Sequence, residues 1–256
     1  MPVCAEHDRA VLAELLARDP MLCAYQLGDL DDFFWPYTSW FRRGDAVALL
    51  YHGVRPPVLL ALARPAGVGE LAALLGELSP VLPARLEAHL SPGLAAVLGG
   101  SFRVVSTGLH HKMALTDPGR LAAVPPAGVT LGRADLPQLH ELYAAAYPGN
   151  SFDARMVDTG RYVGVRNGDA LVAVAGVHVF SRAYRVAALG NVTTRPAWRG
   201  RGLAAAAVAR LCGLLRADVD HVTLNVKADN VTAVRLYERL GFTRIADYSE
   251  FTLTAR

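Results

Sequence analysis

The feature that most constrains the fold lies between residues 162 and 253. Two apolar runs rich in β-formers, Tyr162 to Arg166 and Leu171 to Phe180, are separated by Asn167-Gly168-Asp169. An Asn-Gly turn between such runs signals a hairpin, because the tight turn needs positive φ at its centre. A third run, Tyr184 to Thr194, follows the short turn Ser181-Arg182-Ala183. The pattern then alternates. Helical periodicity over Gly200 to Asp218 precedes an apolar run at Val222 to Val226. A second helical stretch, Asn230 to Leu240, is stopped by Gly241 and followed by the β-rich runs Phe242 to Tyr248 and Ser249 to Leu253. A meander followed by β-α-β-α-β implies a mixed central β-sheet flanked by helices, an α+β architecture. Upstream, a short strand at Val129 to Leu131 and a helix from Ala134-Asp135 to Tyr147, ended by Pro148-Gly149, complete this half.

The first half repeats the order more loosely. A helix over Arg9 to Arg18 leads into the aromatic-rich stretch YQLGDLDDFFWPYTSWF. Strands at Ala46 to Tyr51 and Val58 to Ala63, helices near Gly69 to Leu78 and Ala84 to Leu98, and a strand from Phe102 to Leu115 follow. The aromatic cluster (Phe33, Phe34, Trp35, Tyr37, Trp40, Phe41) reads as core or interdomain packing, with a cleft lining as the alternative. The Pro/Gly-rich stretch at Thr116 to Leu136 reads as a linker. The expected division is therefore residues 1–117, a linker at 118–128, and residues 129–256, two related domains in tandem.

Composition excludes several functions. The chain is 52% hydrophobic and 19% charged, and its net charge of +3 is too small for a nucleic-acid stripe. Cys4, Cys23 and Cys212 form no CxxC pair, and no Cys/His group has zinc spacing, so no metal is expected and a reducing compartment is. Glu6 and Asp8 stand where an export signal needs basic and then apolar residues, and no uncharged apolar run reaches membrane-spanning length. These features predict a cytoplasmic protein with neither a nucleic-acid nor a membrane partner.

RPAWRGRGLAAAAVARL, Arg195 to Leu211, carries the chemistry. Gly200 to Ala205 satisfies G-x-G-x-x-A literally, but a dinucleotide fingerprint needs its first glycine at the end of the strand. Here Arg195 to Arg199 intervene, and the next strand is followed by Lys227 rather than an acid. No Gly-Lys-Ser/Thr is present, which excludes a Walker loop. Read as R-x-x-G-x-A, Arg199 to Ala204 fits a different anion cradle. Small residues let the backbone approach phosphates, and unpaired N–H groups at the start of a helix donate to them.

These residues resemble the GCN5-related N-acetyltransferases over about Val129 to Leu253, most sharply in GNVTTRPAWRGRGLA and LNVKADNVTAVRLYERLGF. The resemblance implies the acyl-CoA N-acyltransferase fold and acetyl-CoA as donor substrate. It implies that Arg199, Gly200, Arg201, Gly202, Leu203 and Ala204 cradle the coenzyme A pyrophosphate, and that Val192, Thr193 and Thr194 line the pantetheine arm. In the second motif Asn230 would contact the pantetheine amides, Ala233 would leave room for them, and Tyr237 would protonate the leaving thiolate. A backbone N–H near Val192 or Thr193 would hold the oxyanion.

The general base is where the chain departs from its relatives. In those that acetylate ribosomal-protein N-termini, the position of Asn225 is often glutamate, and asparagine takes no proton. His178, Glu141 and Glu250 are the base candidates, while Asn191 and Asn225 are candidates to orient substrate or a relaying water. His110 and His111 are strand neighbours that face opposite sides and cannot share one site. Nothing resembling the arginine–glycine loop is expected in the first half, so one coenzyme A per chain is. In tandem members a degenerate half encloses the acceptor site or supports dimers, which leaves a homodimer open. The predicted function is acetyl transfer to a primary amine of a small molecule or peptide. A non-catalytic acyl-CoA-binding module and a transferase of a longer acyl group are the alternatives. No strongly charged region suggests a polyamine, an aminoglycoside or a histone tail as acceptor.

Overall fold

The computed structural model describes residues 2–256. Along the chain its elements run β1 (Cys4–Ala5), α1 (Arg9–Leu16), α2 (Ala24–Asp29), β2 (Thr38–Arg43), β3 (Ala46–Tyr51), β4 (Val58–Ala61), α3 (Val68–Leu78), β5 (Arg85–Leu90), α4 (Ala95–Leu98) and β6 (Phe102–Leu115). They continue with β7 (Val129–Thr130), α5 (Leu136–Ala146), β8 (Val163–Asn167), β9 (Ala170–Ser181), β10 (Val186–Thr194), α6 (Leu203–Leu215), β11 (His221–Lys227), α7 (Val231–Arg239) and β12 (Phe242–Ala255). Contacts sort these into two units that the chain does not visit in order. The first gathers the chain up to Lys112 together with Val226–Asn230 and Arg244–Arg256, and the second gathers Met113–Asn225 and Val231–Thr243.

In the first unit the strands lie in the order β1-β2-β3-β4-β5-β12-β6. β4 and β5 pair in parallel from Val58↔Glu87 to Ala61↔Leu90. β12 pairs antiparallel with β5, from Ser249↔Leu90 to Thr254↔Arg85. Leu71, Leu74, Leu75 and Leu78 recur at helical spacing along α3 and pack into one core with Leu59, Ala61, Leu86, Ala88 and Leu90. The helix expected over Ala84 to Leu98 is instead a strand, a Pro-Gly break and one helical turn. Leu86, Ala88 and Leu90 are buried while Arg85 and Glu87 are exposed, a period of two. Ala, Leu and Glu favour helix locally, but parallel and antiparallel partners on both sides outweigh that preference. The aromatic stretch is divided, with Phe33 and Tyr37 exposed and the rest packed to differing degrees. Phe34 and Trp40 are buried, Trp35 stacks on Trp40 at 6.3 Å, and β2 runs through its end.

Two expectations change here. The last two predicted strands are one strand, β12, and its outer part belongs with the first unit, so a division of the chain at residue 129 does not follow the contacts. Arg64, Gly67 and Gly69 also have the R-x-x-G-x-G spacing, between β4 and α3, where no counterpart of the loop was expected.

The second unit orders its strands β7-β8-β9-β10-β11. β8, β9 and β10 form the expected meander, with Gly168 at φ +56 in the turn. The apolar run Leu171–Val177 is buried throughout, as a strand covered on both faces must be, and α5 and α6 both pack on it. The predicted linker is pinned to this unit. The N–H groups of Thr116 and Asp117 donate to Gly241 O (3.1 and 3.0 Å), and Ala127 N–H donates to Ala206 O (3.2 Å). Gly241 has φ +94, and a Cβ there would run into Asp117 O. Only glycine fits this corner.

Candidate functional site

β10 pairs in parallel with β11 only from Val186↔His221 to Leu189↔Leu224. Beyond Leu189 the two strands carry no shared ladder, and β10 runs on to Thr194. This free end is irregular. Against β9 the partners jump from Ala188↔Val179 to Leu189↔Val177, which makes His178 an extra residue on β9. They jump again from Gly190↔Gly176 to Thr193↔Val174, so that Asn191 and Val192 together face Ala175. Two bulges therefore stand back to back. Asn191 has φ +55, a left-handed conformation that bulges usually give to glycine and that asparagine tolerates. A Cβ on Gly190 would lie within the His178 ring, so the ring covers that glycine.

Asn191 is held on both sides. Tyr143 Oη donates to Asn191 O (3.0 Å), and Asn191 Nδ2 donates to Tyr162 Oη (3.1 Å), which in turn donates to Val177 O (3.1 Å). The Tyr162 ring occupies the space that a side chain at Gly176 would need. Burial pushes the hydroxyls of Tyr143 and Tyr162 well above the usual phenol range, so both stay protonated. Sequence analysis missed these two tyrosines. Tyr143 shares the buried face of α5 with Leu139 and Leu142, and the only signal was Gly176 inside an apolar strand, a mark of close approach.

From the end of β10 the chain turns through Pro196–Trp198 into the arginine–glycine loop. Gly200 and Gly202 have φ +76 and +75, and a Cβ on either would meet nothing within 4 Å. The glycines answer a backbone need, and the space above them is open. Gly202 caps α6 without a side chain, and Ala206 N–H to Gly202 O (3.0 Å) is the first bond of the helix. The N–H groups of Leu203, Ala204 and Ala205 thus have no acceptor one turn back. Arg199 donates to the carbonyls of Thr194 (3.2 Å) and Ala146 (3.3 Å). Arg201 donates to Ala197 O (3.4 Å) and lies 4.4 Å from the Trp198 ring. Among the described residues neither arginine meets a carboxylate, so both charges add to the positive end of the helix. Thr194 Oγ1 is buried without a partner.

The remaining candidates divide. Asn225 is the first residue past the β10–β11 ladder, and its Oδ1, like that of Asn191, is buried without a donor. Such an acceptor costs about 1–3 kcal/mol unless a donor reaches it. Ala233 and Tyr237 lie one turn apart on α7. Tyr237 is 8% exposed, its ring edge-on to Phe242 at 5.8 Å, and burial raises its hydroxyl pKa, with Tyr147 and Cys212 adding to the shift. Cys212 itself is a buried core residue whose thiol is pushed up to about 12 by burial. Glu141 is exposed and paired with Arg195 at 2.9 Å. Asn230 closes a turn through its N–H to Lys227 O (3.0 Å) and sorts with the first unit. Glu250 is also in the first unit, where its Oε1 takes Tyr248 Oη at 3.1 Å and faces Nε2 of His89 and His110, each at 3.4 Å. His111 turns instead to Asp247 (2.8 Å), so the two histidines do point apart. Of the titratable candidates, His178 alone stands at the bulges. Among the described residues no three His, Cys, Asp or Glu side chains gather as metal ligands.

Residues 133–242 match the acetyltransferase (GNAT) family. Over 131 residues the chain is 33% identical to the N-alpha-acetyltransferase RimI of Mycobacterium tuberculosis, a stretch covering 46% of this chain and 80% of that protein. The chain belongs to the acetyltransferase (GNAT) family. Two GNAT structures share its fold at lower identity. A GCN5-related N-acetyltransferase from Kribbella flavida is 21% identical, with a TM-score of 0.60 over 94% of each chain. A tandem GNAT protein from the clavulanic acid biosynthesis pathway is 20% identical, with a TM-score of 0.58 over 99% of this chain and 98% of that one. The match to a tandem GNAT extends the fold likeness to the whole chain, beyond the part that the family match covers. Among the described residues no helix is long and apolar enough to cross a membrane.

Proposed function

We propose that the second unit of this GNAT chain binds acetyl-CoA and transfers its acetyl group to a primary amine of a small molecule or peptide, in the cytoplasm. The supporting observation is the open loop from Arg199 to Ala204, with two left-handed glycines and two arginines free of carboxylates, directly after a strand that parts from its parallel neighbour. Its residues fit a pyrophosphate. The N–H groups at the start of α6 and the Arg199 and Arg201 guanidiniums would hold the phosphate oxygens, and Thr194 Oγ1 gains the partner it lacks.

When bound, acetyl-CoA supplies the thioester, and the chain's residues do the rest. Val192 N–H donates to the carbonyl oxygen as the amine nitrogen bonds to the carbonyl carbon. Tyr237 gives its proton to the sulfur as the C–S bond breaks. Its raised pKa keeps that proton on hand at neutral pH, and a thiolate in the same dry surroundings is correspondingly more basic. His178 takes the amine's proton, directly or through one water, because Glu141 is engaged by Arg195 and Asn225 is not a base. The name of the RimI relative, an N-alpha-acetyltransferase, favours a peptide α-amine as acceptor.

Asparagine at 225 also favours a second reading, a module that binds acyl-CoA without reacting. Calorimetric titration with acetyl-CoA, then with CoA, tests the shared premise, and thiol release over an amine panel separates the two. Micromolar binding at one site per chain with amine-dependent release is the expected result. Binding with no release for any amine or acyl chain length would leave the silent module, and no binding by folded protein would overturn both.

A further inference from the structure

The left-handed residue in the β10 bulge is asparagine, although glycine would adopt φ +55 without strain. The side chain is 4% exposed, so it meets no solvent that would explain it, and its Oδ1 is left without a donor. A bulge needed only for shape is better served by glycine on both counts. What the asparagine adds is a clasp. Its carboxamide is fixed to Tyr162 and its carbonyl to Tyr143, so a residue just before β8 and one on α5 grip one residue of β10. Tyr162 is itself fixed to Val177 O on β9, and its hydroxyl lies 3.5 Å from Met156 Sδ. The peptide that follows Asn191 carries the N–H of Val192, which shares the single partner Ala175 across the bulge.

We propose that Asn191, clasped by Tyr143 and Tyr162, is a positioning residue that sets the direction of the Val192 N–H towards the thioester oxygen. This rests on the acetyl-CoA reading above. A donor rotated a few tens of degrees or displaced by 1 Å loses most of its preference for the developing charge, and such a displacement costs on the order of a hundredfold in rate. The clasp acts on the carbonyl alone, and the pyrophosphate loop, anchored separately at the start of α6, does not depend on it.

The test uses acetyl-CoA labelled with 13C at the carbonyl, bound to the full chain, and needs no known acceptor. In the unaltered protein the bound carbonyl resonance should move downfield of the free one, as a polarised carbonyl does. Tyr162→Phe removes the oxygen acceptor of the Asn191 carboxamide and leaves it Met156 Sδ at 3.7 Å. Asn191→Gly keeps the φ and deletes the carboxamide half of the clasp, while the Tyr143 bond to the backbone carbonyl stays. Each should return the resonance towards its free position with an unchanged calorimetric dissociation constant. Should Tyr162→Phe fail to melt cooperatively, Asn191→Gly, which relieves backbone strain, carries the test. A variant carbonyl at the unaltered protein's position would overturn the proposal and leave Asn191 a structural residue. An unaltered protein that binds acetyl-CoA without moving the carbonyl would overturn it equally. No bound resonance at all would instead overturn the coenzyme reading and the proposal with it.

Discussion

Arg64-Pro65-Ala66-Gly67-Val68-Gly69 in the first unit and Arg199-Gly200-Arg201-Gly202-Leu203-Ala204 in the second both satisfy R-x-x-G-x-G/A. Each stands between a strand with a parallel partner and a helix, and in each unit that ladder spans four residue pairs. The resemblance ends at conformation and charge. Gly67 has φ −94 and ψ −5, a shape any residue adopts, whereas Gly200 and Gly202 are left-handed. Arg64 is spent on Asp19 (2.6 and 3.3 Å) and on Ile245 O (2.6 Å). Glu70 puts a carboxylate in the first turn of α3, where α6 has Ala204 and Ala205, and it is paired with Arg43. Past the ladder, Ser91 stitches β5 to β4, its Oγ accepting from Ala63 N–H (2.9 Å) and donating to Ala63 O (3.2 Å). In the second unit the strands part at the same point. Spacing alone makes no anion site. The second loop differs from the first in its free N–H groups, left-handed glycines and uncompensated arginines, and on that ground it is the one proposed to hold coenzyme A.

The largest effect that would sharpen this contrast is Gly202→Glu, which combines φ strain with a negative charge at the helix start. Acetyl-CoA binding by calorimetry should fall by at least about a hundredfold. The matched change Gly67→Glu should leave affinity and stoichiometry untouched, and a loss there would show that the first loop is in use. Next comes Tyr237→Phe, which should lower kcat on the order of a hundredfold while acetyl-CoA affinity is retained. An unaltered rate removes Tyr237 from the chemistry. Arg199→Gln should weaken binding about tenfold and flatten its salt dependence, while Arg64→Gln should do neither. The smallest effect is Ser91→Ala. Ala63 N–H loses its acceptor, so chemical denaturation should show a loss of about 1 kcal/mol, and the titration should still count one site. A second site appearing in that variant would mean that the stitch alone keeps coenzyme out.

Much of the second unit was legible because its signals are local. Asn167-Gly168 declares its own turn, Gly241 stops α7, and the left-handed glycine turn that opens α6 lies within the six residues Arg199 to Ala204. What failed was long-range. Arg85 to Leu90 has helix-forming residues and becomes a strand only because β4 and β12 flank it. Glu141 looked available until Arg195, far along the chain, claimed it. Glu250 likewise disappears into a group with Tyr248, His89 and His110. The Asn191 bulge was invisible because a left-handed asparagine has no spacing of its own, and its clasp comes from residues 29 and 48 positions away. Asn225 in place of glutamate, by contrast, was a departure that the sequence showed outright.

The position of β12 between β5 and β6 sets an order of events during synthesis. The ladder from Ser249↔Leu90 to Thr254↔Arg85 closes a loop of roughly 160 residues. Until residues 249–254 leave the ribosome, β5 and β6 wait as bare edges beside a gap, the kind of surface that chaperones cover and that neighbouring nascent chains can fill instead. The second unit's meander is translated in full before that gap can close. The half of the sequence that emerges first is therefore the half that is finished last.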